Sequence, residues 1–154
     1  MMTTYKVKLV SQTNAAVLII LLLAAFLTSA GLFFPHGVHN SSLTILMIMA
    51  DMAIAWYGWQ LVVVGRTEWT VSETEVNVVW TRKFLFATVD DYHLKWSDIK
   101  NIRKGFDPNY DIVYIVLNSG EEIRFIHSPI TMRDDFRDCL VELYRIFGEK
   151  NKSH

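Results

Sequence analysis

Cysteine is almost missing from these 154 residues: Cys139 stands alone. One thiol excludes an intrachain disulfide and any zinc or iron–sulfur site built from several cysteines. No excess of either charge exists, with 15 basic against 16 acidic residues, and this excludes a generally basic nucleic-acid binder. The catalytic signatures are absent too. The chain has no Gly-rich phosphate loop, no His-Glu-x-x-His and no Gly-x-Ser-x-Gly, so no cofactor, metal or small-molecule substrate is indicated and a non-enzymatic role is expected.

What the chain has instead is apolar length. Ala15–Phe34 reads AAVLIILLLAAFLTSAGLFF without a charge, and Leu43–Val64 carries one, Asp51. At about 1.5 Å per residue each run reaches across a hydrocarbon core of about 30 Å. The eight residues between them, PHGVHNSS, disfavour helix and predict a tight antiparallel hairpin, with loop 35–42 joining spans 15–34 and 43–64. Lys6 and Lys8 precede the first run, and Arg66, Arg82 and Lys83 follow the second, whereas the loop has no Lys or Arg. The positive-inside rule then predicts a multi-pass protein of the cell (inner) membrane with both termini cytoplasmic, 1–14 forming an N-terminal segment. The alternative is a cleaved signal peptide ending near Thr28-Ser29-Ala30, but the run is longer than the usual apolar core of one.

Polar and aromatic residues inside the spans are the first candidates for function. An ionisable Asp51 needs protonation, a partner or a protein-facing position. Thr28 and Ser29 fall within about a turn of its depth on the other helix, so the expectation is a packing or assembly role shared by Asp51, Thr28, Ser29 and the small Ala25, with an ion or proton relay as the alternative. Trp56, Tyr57 and Trp59 are expected interfacial anchors at the cytoplasmic end.

The remaining ninety residues have a soluble composition. Glu68–Val71, Glu75–Trp80, Tyr92–Trp96, Ile99–Arg103, Asp111–Leu117 and Glu122–His127 read as six short strands, separated by turn signals of which Asn118-Ser119-Gly120 is the clearest. From Thr131 the period becomes helical, with Phe136, Leu140, Leu143, Tyr144 and Phe147 on one stripe, Thr131 and Asp134 forming a capping pattern, and Gly148 the stop. The predicted class is α+β: a membrane hairpin, then a small antiparallel sheet or barrel over 65–148 capped by one amphipathic helix, and a tail over 149–154.

A two-helix hairpin followed by Arg66-Thr67-Glu68-Trp69-Thr70-Val71, Leu94-Lys95-Trp96-Ser97-Asp98-Ile99, Ile115-Val116-Leu117-Asn118-Ser119-Gly120 and a final helix resembles the bacterial pleckstrin-homology-like membrane proteins. The resemblance implies a fold and an anchor more than an activity. Phosphoinositide binders of the wider group carry cations around the first hairpin, whereas Val71-Ser72-Glu73-Thr74-Glu75 is acidic here.

Three further candidates complete the reading. Arg82-Lys83-Phe84-Leu85-Phe86 is a candidate lipid contact, with Phe84–Phe86 as sheet core the competing assignment. Lys100, Arg103 and Lys104 are a candidate partner edge, against a solvated strand face. His36 and His39 are too few for a metal site, His93 and His127 are expected to be hydrogen-bonded or surface imidazoles, and Cys139 a small buried residue. The leading expectation is a non-enzymatic accessory or scaffold subunit that docks another membrane protein or itself as a homo-oligomer. The alternatives are a sensor of anionic membrane lipids or a small membrane immunity protein.

Overall fold

The computed structural model of the chain describes residues 2–33, 41–86, 88–129 and 134–152. Its first element is a strand, β1 (Thr3–Val10), and two long helices follow at once, α1 (Gln12–Phe33) and α2 (Ser41–Gly58), the second extended by a π-helical turn over Trp59–Val63. Six more strands come next: β2 (Val64–Val71), β3 (Glu75–Arg82), β4 (Tyr92–Lys95), β5 (Ile99–Gly105), β6 (Asp111–Leu117) and β7 (Glu122–His127). A 3-10 turn, Trp96–Asp98, joins β4 to β5, and α3 (Phe136–Lys152) is last. The class is α+β, with two antiparallel sheets in the orders β1-β2-β3-β4 and β5-β6-β7. They remain separate ladders, and the described residues form no closed barrel.

The seventh strand changes the domain organisation. The chain divides into two units: residues up to Val10 belong with 65–83 and everything from Thr88 onward, while Ser11–Val64 forms the second unit with the segment that begins at Phe84. The sheet unit is therefore discontinuous, and the helical pair is an insertion between two neighbouring strands. What the sequence marks as an N-terminal segment supplies Val7, Leu9 and Val10 to the core. In TTYKVKLV, Tyr5, Val7 and Leu9 alternate with Lys6 and Lys8, the period-2 pattern of a half-buried strand.

Within the sheet unit, Trp69 on β2 sits edge-on to Phe125 on β7, ring centroids 4.6 Å apart, and Tyr92 on β4 meets the same ring at 5.8 Å. These contacts join the two sheets across a core of Val76, Val78, Val113 and Ile115, all fully buried. Helix α3 closes it with Phe136, Cys139, Leu143 and Ile146, spaced three and four apart. Phe136 and Leu143 of the expected stripe are fully buried and Cys139 is buried as expected, but Leu140 and Phe147 are half-buried, Tyr144 is exposed, and Ile146 takes the remaining core position. Gly148 does not stop the helix, which continues to Lys152. The proposed cap Thr131 lies outside the described residues; Asp134 still serves the N-terminus, its Oδ1 accepting the Phe136 N–H at 3.2 Å.

The β6–β7 turn matches expectation: Gly120 has φ of +90°, the left-handed region that favours glycine, and its N–H donates to the Leu117 carbonyl at 3.0 Å. Gly105 is glycine for another reason. A Cβ there would lie 2.7 Å from Tyr114 Cε2 and 3.0 Å from Ile112 Cβ, so the neighbouring strand occupies the space of a side chain.

Candidate functional site

In the helical unit, Gln12–Gly31 and Thr44–Val63 have mean hydropathy of 2.1 and 1.4 and are long and apolar enough to cross a membrane. Their surfaces are covered by almost nothing in the chain: Ile20, Leu27, Leu46, Met52 and Ile54 are all exposed. A soluble protein rarely leaves so large an apolar surface bare. The two helices are tied at one end. Ser11 caps α1, its Oγ accepting the Asn14 N–H at 3.2 Å, while the Ser11 N–H donates to the Val63 carbonyl at 3.0 Å. Asn14 is buried and donates through Nδ2 to the Val62 carbonyl at 2.9 Å. Carbonyls at the end of a helix lack intrahelical partners, and here two of them are met by the start of the other helix.

The intramembrane candidates are not brought together. Thr28 donates its hydroxyl to the Ala24 carbonyl at 2.8 Å, and Ser29 to the Phe26 carbonyl at 2.9 Å, so each is satisfied within its own turn. Neither bonds Asp51, which is exposed, and Ala25 is exposed as well. The expected hydrogen bond from the hydroxyls to Asp51 is therefore not formed. Trp56 and Tyr57 are exposed, whereas Trp59 is half-buried with a buried Nε1 that finds no acceptor.

Arg82 ends β3 and is paired in register with Arg66, two residues past the start of β2. The segment that follows does not enter the sheet core, which corrects the competing assignment: Phe84 is half-buried, and Leu85 and Phe86 are exposed. The cations of the candidate edge on β5 are largely answered by their own sheet. Arg103 forks onto Glu122 at 2.8 and 2.9 Å and lies 4.5 Å from the Tyr114 ring centre, and Lys104 is 3.0 Å from Asp111. Among the described residues Lys100 has no such ion pair.

Asp134 was visible in the sequence only as part of a cap, yet its carboxylate ties together β1, β7 and α3. Its Oδ2 accepts the Lys8 N–H of β1 at 2.6 Å, and its Oδ1 lies 3.0 Å from His127 Nε2 at the end of β7 and also accepts from Phe136 N–H. Next to it, Asp135 Oδ2 accepts the Lys6 N–H at 3.0 Å. The His127–Asp134 pair is only 4 and 5% exposed, and the His127 ring stacks on Phe136 at 4.2 Å. Burial by itself raises the Asp134 carboxyl; the hydrogen bonds from His127, Lys8 and Phe136 with the His127 charge outweigh it and hold the group below its ordinary value. His127 Nδ1 is buried and finds no hydrogen-bond partner among the described residues. His93 bonds Asn77 at 2.9 Å on the surface, and His36 and His39 lie outside the described residues.

Beside this knot a cleft of about 610 Å³ opens over β1 and β2, with Lys6, Lys8 and Arg66 set against Glu68, Asp134 and Asp135. Its charges balance and both aspartates are held by β1, so the cleft has the character of a joint between strands more than of an anion site. Thr67, also on its lining, donates to the Val7 carbonyl at 3.0 Å and accepts from Trp69 Nε1 at 2.9 Å. The Cys139 thiol, expected to be inert, is buried, and its pKa is pushed up by burial and by the nearby Asp135 and Asp134, which keeps it protonated. No group of three or more metal-ligating side chains exists among the described residues. No protein-family model, curated protein or solved structure matches this chain.

Proposed function

We propose that the chain is a membrane-anchored, non-enzymatic binding module of the pleckstrin-homology-like kind, with α1 and α2 crossing the membrane, both termini in the cytoplasm, and the sheet unit presented to a membrane-protein partner. The observation that carries this reading is the insertion of the two apolar helices between β1 and β2. One residue separates β1 from α1 and none separates Val63 from β2, so the apolar pair is joined directly to both strands. The order of strands, a 4-and-3 pair of antiparallel sheets followed by an amphipathic helix, supports the family resemblance.

The orientation is testable because Cys139 is buried and so stays silent to a membrane-impermeant thiol reagent. In whole cells a cysteine at position 38 should label from outside, and one replacing Thr4 should label only after lysis; the reverse pattern rejects the topology. For the function itself, the tagged full chain extracted in native lipid discs should bring a second protein in fixed stoichiometry.

A second reading, contact with anionic lipid through Arg82–Phe86, is favoured by one observation: Leu85 and Phe86 are exposed after two cations, and their segment belongs to the helical unit. A polarity-sensitive dye at position 86 of the full chain should then shift to the blue on reconstitution, more in bilayers with anionic lipid and less at high salt. An unshifted dye sinks this reading.

A further inference from the structure

We propose that Asp51 docks a transmembrane helix of a different protein that carries a lysine or arginine near its middle; the inference rests on the reading of α1 and α2 as spans. Asp51 lies well inside Thr44–Val63, on the order of 10 Å from the Thr44 end at about 1.5 Å per residue. By helical periodicity it shares a stripe with Met47, Ala55 and Gly58. Gly58 touches the other helix, since a Cβ there would meet Leu18 Cδ1 at 3.3 Å. At Asp51 that contact is gone: the residue is exposed, and α1 is exposed without interruption from Leu23 to Thr28. Met47 and Ala55, one turn to either side on the same stripe, are half-buried while Asp51 itself is exposed, so the carboxylate is left uncovered for a third helix.

Charge then selects the occupant. The two nearby hydroxyls are spent on their own backbone, and neither span contains a Lys, Arg or His. A second copy of the chain has the same composition and brings no cation to this depth. Ionisable groups inside membranes are rare and are usually paired, so the opposite charge comes from another chain.

The test uses the full chain, labelled with a donor dye and reconstituted in bilayers of phosphatidylcholine and phosphatidylglycerol. The probes are acceptor-labelled Leu/Ala helices of about 20 residues with a central Lys or a central Leu. Energy transfer should show the Lys helix binding at least tenfold more tightly than the Leu helix. Asp51→Leu should erase that difference, and Asp51→Lys should restore it for a helix with a central Asp. Equal binding of the Lys and Leu helices, or tighter association between two copies of the chain than with the Lys helix, overturns the proposal. Polarised infrared spectra of the same bilayers separate the causes. Helices along the membrane normal leave the spans intact and condemn only the docking, whereas helices in the plane reject both.

Discussion

The sheet unit should not fold without its first nine described residues, and this tests the discontinuous domain directly. Two soluble polypeptides make the comparison: residues 65–154 alone, and residues 2–10 joined through a short Gly/Ser turn to 65–154, with the apolar helices deleted from both. Val7, Leu9 and Val10 are 1, 2 and 3% exposed. Burial of one such side chain stabilises by about 1.5–3 kcal/mol, so loss of three removes roughly 5 kcal/mol or more. The loss reaches further than the apolar term. Without β1, the Asp134 and Asp135 carboxylates lose the Lys8 and Lys6 N–H groups, and Thr67 loses the Val7 carbonyl. A buried polar group left unpaired costs about 1–3 kcal/mol. Domains of this size are stable by about 5–15 kcal/mol in all, so the truncated form falls at or below the folding threshold. Urea unfolding followed by tryptophan fluorescence suits the question, because Trp69 is fully buried against Phe125. The joined form should give a cooperative transition and dispersed amide spectra, and the truncated form neither. A truncated 65–154 that unfolds cooperatively at the same urea concentration would refute the assignment of β1 to this core.

Three other perturbations follow from single sites. Asp134→Ala should lower stability by about 2–4 kcal/mol, because it leaves His127 Nε2 and the Lys8 N–H buried without an acceptor. Its carboxyl is held below the ordinary value in the fold, so the stabilisation is complete above the unfolded value of about 4 and fades as pH falls through the folded one. Acid unfolding of the joined polypeptide should therefore show a slope below about pH 4 that Asp134→Asn flattens. Gly105→Ala should cost about 1–3 kcal/mol, since the Tyr114 ring and Ile112 must both yield; a neutral result in a thermal melt would mean that the β5–β6 pair adjusts freely. Gly120→Ala should cost about 1 kcal/mol through the positive φ, and an unchanged melting temperature would show that the turn can take another form.

How legible each feature was in the sequence depends on how local its cause is. Strands β6 and β7 follow Asp111–Leu117 and Glu122–His127 to the residue, because alternation and a Gly turn act over a few positions. Strand β1 carried the same alternation, but Lys6 and Lys8 also fit the charged flank of a span, and its partners lie past two long helices. The isolation of Asp51 was plain in the sequence, while its partner was not: a hydroxyl in a helix has its own carbonyl three or four residues back within reach. Nothing local could link His127 to Asp134, or either to Lys8, since that knot exists only after β1, β7 and α3 converge. Phe84–Phe86 left two assignments open, lipid contact and sheet core, because apolarity alone does not say which apolar residues the fold buries, and Leu85 and Phe86 are exposed.

The insertion also answers a folding difficulty that it creates. Bringing β1 beside β2 means closing a loop of some fifty residues, which for a flexible chain costs about 3.5 kcal/mol in entropy before any contact forms. Here the loop is two helices with tied ends: Ser11 bonds the Val63 carbonyl, and Asn14 bonds that of Val62. Once the hairpin stands, Val10 and Val64 are delivered close together and β1 meets β2 at the cost of a short turn. The two helices thus form the β1–β2 connection of the sheet. Asn14→Ala should loosen the tie between their ends, because the Val62 carbonyl loses its donor at a cost of about 1–3 kcal/mol.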